Sequence, residues 1–202
     1  MMKKILFLDG SLNSTDQSYS TTTMNYVCQL FDPKEFQVKR VNLNDSKFAS
    51  NSLNSHTFST FWKDVESDMW IDELKNTNLL VISLSMTNFG PTSVVKNFID
   101  GIAVANKTFS YKYSNTQDAI GYLTNLNVLV IGSQGADFGK YSWGDHIKWL
   151  KETFRFLGAK LIESFDIYGT KVSEVSKMSP SEFVNSKKIE IDSLISKIKK
   201  DL

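Results

Sequence analysis

Three short runs, KKILFLD (Lys3 to Asp9), NLLVISL (Asn78 to Leu84) and NVLVIGS (Asn127 to Ser133), are apolar with almost no alternation. A strand with one face in water alternates apolar and polar residues, so runs like these read as strands covered on both faces. Two further runs, FQVKRVNL (Phe36 to Leu43) and KLIESFDIYG (Lys160 to Gly169), alternate more and suit sheet edges. Sheets covered on both faces are parallel ones, whose right-handed crossovers lay helices above and below.

The segments between the runs supply those helices: about Ser20 to Phe31, Phe58 to Lys75, Thr92 to Ala105, Asp145 to Leu157, and Pro180 to Lys200. In the last, Ile191, Leu194, Ile195, Ile198 and Leu202 recur at steps of three and four, an apolar packing stripe with lysines outside it. Five strands alternating with five helices predict an α/β three-layer sandwich of the flavodoxin-like kind, with parallel strand order 2-1-3-4-5. At 202 residues the chain suits one such domain, 1–202.

Lysine plus arginine (23) nearly balance aspartate plus glutamate (22), so there is no electrostatic footprint for nucleic acid or an anionic membrane. No run approaches the roughly 18 to 20 apolar residues that span a bilayer, and the apolar start after MMKK is too short for a signal peptide. The single cysteine, Cys28, excludes an internal disulfide and reads as a core thiol of the first helix. The expectation is a soluble cytoplasmic protein that takes a small ligand.

Open α/β sheets hold ligands beyond the carboxyl ends of the strands where the strand order reverses. Three loops therefore matter: DGSLNSTDQSYSTTT, SMTNFGPTS and GSQGADFGKYSWG. The first is dense in hydroxyls and opens a helix. Free N–H groups there, with the helix dipole and Ser18, Tyr19 and Ser20, suit a phosphate, although the same serines can simply cap the helix. Neither a Walker lysine pattern nor a G-x-G-x-x-G fingerprint is present, which leaves a monophosphate cofactor.

The second loop puts Met86 and Phe89 where turn residues are expected, with Asn88 between them and Pro91 near the start of the next helix. Large apolar groups around an amide suit a flat aromatic ligand; the alternative is that they are contacts of a tight strand-to-helix turn. The third loop offers Gly132, Gly135 and Gly139, where backbone can approach a ring closely. His56 and His146 share no metal-ligand spacing with each other or with Cys28, and each suits a surface or helix position better than catalysis, with His146 the nearer to the third loop.

SMTNFGPTSVVKNFIDGIAVANKTFSYKY is similar to the FMN-dependent NADH-azoreductase family, which typically shows a P-M-Y-N-F loop, an L-K-N-Y-x-D helix and a T-F-x-Y segment. Asn88, Phe89, Lys96, Asn97, Asp100, Thr108, Phe109 and Tyr111 keep that pattern, and the order of elements agrees over nearly the whole chain. The resemblance implies that Ser11 and Ser18 to Ser20 hold the FMN phosphate, that Met86, Thr87, Asn88 and Phe89 wall the ring, and that the third loop closes the site. The family's S-R-G-G stands here as Ser133, Gln134, Gly135 and Ala136, and Thr87 replaces a tyrosine.

By the same resemblance, NADH is the electron donor, a quinone or azo compound the acceptor, and the protein a homodimer with flavin near the interface. No catalytic side chain is implied, since the cofactor carries the chemistry. Two local features agree with a dimer: the aromatic segment Thr108 to Tyr113, and Asn44 to Thr57, which reads as a partner-reaching or pocket-covering loop or as a disordered insertion. A flavodoxin-type electron carrier would share fold and cofactor but is commonly acidic. A protein-binding module that uses the empty cleft is the other alternative. A phosphopantetheine hydrolase, a label also used in this family, would want metal ligands or an acid–base pair, and the chain shows no such set.

Overall fold

A computed structural model describes residues 2–13, 15–112 and 119–202. In chain order the elements are β1 (Lys3–Asp9), α1 (Tyr19–Gln29), β2 (Phe36–Asn42), α2 (Phe61–Asp64), α3 (Ser67–Lys75), β3 (Leu79–Ser85), α4 (Ser93–Ile102), β4 (Phe109–Ser110), β5 (Ile120–Gly121), β6 (Asn127–Ser133), α5 (His146–Phe156), β7 (Leu161–Ile167) and α6 (Pro180–Lys200). The main sheet runs β2-β1-β3-β6-β7, parallel throughout, so the expected order 2-1-3-4-5 holds once the short β4-β5 pair is set aside.

The two faces of β1, β3 and β6 divide the core. Leu6, Leu8, Leu80, Ile82, Leu84, Val128 and Val130 pack against α3, α4 and α5, while Ile5, Phe7, Leu79, Val81, Leu129 and Ile131 pack against α1 and α6. Burial on both sides is why these runs lack alternation. The stripe of α6 behaves as expected, with Ile191, Ile195 and Ile198 buried behind a complete capping box of Ser179 and Glu182.

Several elements depart from the sequence expectation. The single helix foreseen over Phe58 to Lys75 is two, because Glu66 takes a left-handed conformation (φ 55) that interrupts the hydrogen-bond ladder between α2 and α3. The next helix begins at Ser93 and ends at Ile102, shorter than Thr92 to Ala105, since the Thr92 hydroxyl donates to the Gly10 carbonyl (2.6 Å) and stitches the first loop to the second. Pro91 therefore lies in the loop ahead of the helix. Cys28 is half-buried beside Arg40, and not sealed in the core.

Asn44 to Thr57 is not a disordered insertion. Two short 3-10 turns, Leu43–Asp45 and Lys47–Ala49, shape its first part, and Phe48 in the second is fully buried against Trp70 and Phe98, with its carbonyl accepting from Asn97 Nδ2 at 2.9 Å. In the segment Thr108 to Tyr113, Phe109 and Tyr111 meet each other and Phe156; Tyr113 lies outside the described residues. Among the described residues no helix is long and apolar enough to cross a membrane.

Phe48→Ala should lower the unfolding free energy by about 3–5 kcal/mol, the usual cost of emptying a buried phenylalanine site. Urea denaturation measures it directly, and a loss below about 1 kcal/mol would detach this segment from the core.

Candidate functional site

Three loops converge at the carboxyl ends of β1, β3 and β6. In the first, Ser18 is the N-cap of α1, and its Oγ accepts from the Thr21 N–H at 3.2 Å. Ser20 Oγ lies 2.7 Å from Ser11 Oγ and 3.2 Å from Ser18 Oγ, with Ser11 and Ser20 both buried. The capping reading is thus correct for Ser18. It does not exhaust the helix start, because the N–H groups of Tyr19 and Ser20 precede any intrahelical acceptor.

Asp9, buried at the end of β1 two residues before Ser11, is held by both arms of Arg40, at 2.7 Å from Nε and 2.8 Å from Nη2. The pairing neutralises a carboxylate that would otherwise repel an anion at this helix start.

The second loop leaves β3 through a tight hairpin in which Thr87 and Gly90 exchange N–H···O bonds of 2.9 and 3.1 Å. Both central residues have positive φ, 47 for Asn88 and 71 for Phe89, the signature of a type I′ turn. Asparagine is at home there. Phenylalanine is not, and left-handed backbone costs such a residue about 1–2 kcal/mol. Its ring meets Tyr141 (5.0 Å between centroids) and Trp143 (5.8 Å), and Gly144 lets the third loop pass against its Cβ. Asn88 and Phe89 are exposed, whereas Met86 turns inward.

In the third loop the Ser133 carbonyl accepts twice, from the Met86 N–H (2.8 Å) and from His146 Nε2 (3.1 Å). Gln134 folds back on its own loop and donates from Nε2 to the carbonyls of Ala136 (3.1 Å) and Asp137 (3.0 Å). The position where the resemblance places an arginine is therefore occupied by a buried amide that braces the turn. A fourth segment, after β7, joins in: the Gln134 carbonyl accepts from Thr170, and the Gly135 carbonyl accepts from the Lys171 N–H at 2.9 Å.

Together these segments enclose an open cleft of about 320 Å³. The first loop and α1 contribute Leu12, Asn13, Gln17, Ser18 and Tyr19; the end of β3 gives Ser85 and Met86; the third loop gives Ser133, Gln134 and Gly135. Thr170 and Lys171 complete the lining. Of the residues singled out from sequence, Ser11, Ser20, Thr87, Asn88, Phe89 and Ala136 stand behind or beside this lining. Leu12, Asn13, Gln17, Ser85, Thr170 and Lys171 join the lining without a signal of their own in the sequence, the last two because they follow β7, the edge strand away from the reversal of strand order.

His146, expected on a surface or a helix, is the first residue of α5 and is buried. Burial holds its pKa below the ordinary 6.5, opposed in part by the Ser133 carbonyl and by Asp145 and Asp166. The neutral ring donates from Nε2 to that carbonyl, and Nδ1 faces no hydrogen-bond partner among the described residues.

A family model described as a flavodoxin-like fold matches residues 3–186. An FMN-dependent NADH:quinone oxidoreductase from Mycoplasmopsis synoviae is 47% identical over 186 residues, covering 91% of this chain and 93% of that protein. The chain belongs to the flavodoxin-like FMN-dependent NADH:quinone oxidoreductase family. A second member, from Mycoplasma mobile, is 41% identical over 90% of the chain and 91% of its own length. The crystal structure of an FMN-dependent NADH-azoreductase from Bacillus anthracis in complex with FMN shares the fold at TM-score 0.73 and 22% identity, covering 98% of this chain and 99% of that one.

For this flavodoxin-like oxidoreductase family member, the buried neutral histidine has a pH signature. Stability carried by neutral His146 is complete above its unfolded pKa of 6.5 and is lost as pH falls through the lowered folded value, because the unfolded chain then binds the extra proton. Urea midpoints between about pH 5 and 8 should fall on acidification more steeply in the wild type than in His146→Asn. Parallel slopes would remove His146 as the cause.

Proposed function

We propose that the protein is a cytoplasmic FMN-dependent NADH:quinone oxidoreductase, active also on aromatic azo compounds, and that it works as a homodimer. The observation that carries this reading is the cleft itself, with a helix start and two loop backbones facing one space and a buried hydroxyl pair beside it, in a chain whose relatives bear that activity in their names.

The residues present fit FMN. The cleft volume falls in the range of about 300–1,000 Å³ usual for small-molecule sites. The N–H groups of Tyr19 and Ser20, with the Ser18 and Ser20 hydroxyls, would receive the phosphate. Met86 would lie against the ring, and Gly135 leaves the third loop without a side chain on the cleft side, where a Cβ would come within 2.9 Å of the Lys171 stem. Asn88, held by the turn, would offer its amide at the rim.

Bound FMN would supply two-electron hydride chemistry, oxidising NADH and reducing the acceptor in alternation. The chain's own part is to bind and orient. Met86 and Ser133 are locked to each other by a backbone hydrogen bond, Gln134 is committed to its loop, and neutral His146 braces the Ser133 carbonyl from below. No side-chain acid or base is asked to move a proton. The cluster of exposed Phe89 and Trp143 with half-buried Tyr141, and the strip formed by Tyr111 and Phe156, are the surfaces a second subunit would cover.

FMN-reconstituted protein, mixed anaerobically with NADH and then with a quinone, should lose its flavin absorbance band and regain it. FMN binding without bleaching by NADH would favour an electron carrier, and no FMN binding would favour a protein-binding module. Asn88→Gly keeps the positive-φ turn and removes only the amide. It should weaken FMN affinity by roughly 3- to 10-fold in fluorescence titration, the usual loss for one hydrogen bond, and unchanged affinity would take Asn88 out of the site.

A further inference from the structure

The end of the cleft that suits phosphate has no cation of its own. From Gly10 to Thr23 the chain carries no lysine, arginine or histidine, and it does carry Asp16. Arg40, the nearest guanidinium to this loop, is engaged with Asp9 through both arms. A phosphate monoester dianion at the start of α1 would therefore meet only backbone dipoles and hydroxyls.

The segment after β7 changes that balance. Among the described residues Lys171 is the one charged residue in the lining of the cleft. Its stem lies over Gly135, with Cγ and Cδ close to where a Cβ on that glycine would stand. Among the described residues its ammonium pairs with no carboxylate. The segment is fastened at both ends. The carbonyls of Gln134 and Gly135 receive the backbone of Thr170 and Lys171, and the Tyr19 hydroxyl donates to the carbonyls of Val175 (2.9 Å) and Met178 (2.6 Å). Tyr19 is the first residue of α1, so the clasp holds the segment against the helix start where phosphate would sit.

Building on the FMN reading, we propose that Lys171 is the counter-charge to the cofactor phosphate and makes the cleft select FMN over riboflavin. The segment after β7 thereby supplies from a fourth loop the charge missing from the first. Lys171 lines the same cleft as the helix-start residues Ser18 and Tyr19, and its ammonium is carried on a long flexible stem.

Lys171→Met keeps the stem over Gly135 and removes the charge. Fluorescence titration should show FMN bound about 10-fold more weakly by this variant, with riboflavin affinity unchanged and the dependence of FMN binding on salt reduced. Lys171→Arg should restore most of the loss. Equal weakening of FMN and riboflavin would show a structural role and overturn the assignment, as would FMN affinity that does not change. A shifted flavin midpoint potential with an intact preference for FMN would place the ammonium at the ring instead, and would also overturn it. Wild-type protein that binds neither flavin would overturn the cofactor reading itself, an outcome separate from failure of the lysine alone.

Discussion

Burial of β1, β3 and β6 on both faces decides where everything else can go. Apolar residues point up and down along these strands, and the buried polar side chains they carry, Ser83 apart, stand at the strand ends, Asp9, Asn127 and Ser133. Chemistry is pushed to the strand ends. There, successive parallel strands release the chain on the same side, and crossing helices start with exposed N–H groups. The cleft is the consequence of a sheet that keeps its polar chemistry at the strand ends.

The loops at that edge are tied to one another more than to solvent. The Ser133 carbonyl joins the second and third loops and rests on His146, while the Thr92 hydroxyl reaches the Gly10 carbonyl and joins the second to the first. Phe89 extends the connection outward, where a left-handed phenylalanine is tolerated because its ring packs against Tyr141 and Trp143. Each of these bonds is individually modest. Together they give the cleft walls a fixed spacing, as a site for a rigid planar ligand requires.

Much of this was legible in the sequence, and the reason lies in particular residues. The unalternating runs gave the central strands, and the hydroxyl-rich first loop pointed to a helix start near Ser18 to Ser20, where Ser18 is the cap. Other features depend on contacts that no local pattern records. Glu66 at positive φ splits a helix whose periodicity is otherwise sound, and Phe48 turns a polar stretch into part of the core by meeting Trp70 and Phe98. The sequence showed that an arginine was absent at Gln134, but not that the amide turns back on its loop, nor that Lys171 is brought into the same cleft by tertiary packing.

The clasp between Tyr19 and the carbonyls of Val175 and Met178 also bears on how the protein folds. Tyr19, at the start of α1, is held by carbonyls 156 and 159 residues further along, and α1 is flanked by α6 from the same distant part of the chain. A chain folded only as far as α5 would have the first three loops of the cleft but lack Thr170, Lys171 and the clasp on Tyr19. Completion of the cleft therefore waits on contacts of very long sequence separation, whose loop-closure cost makes them slow to form.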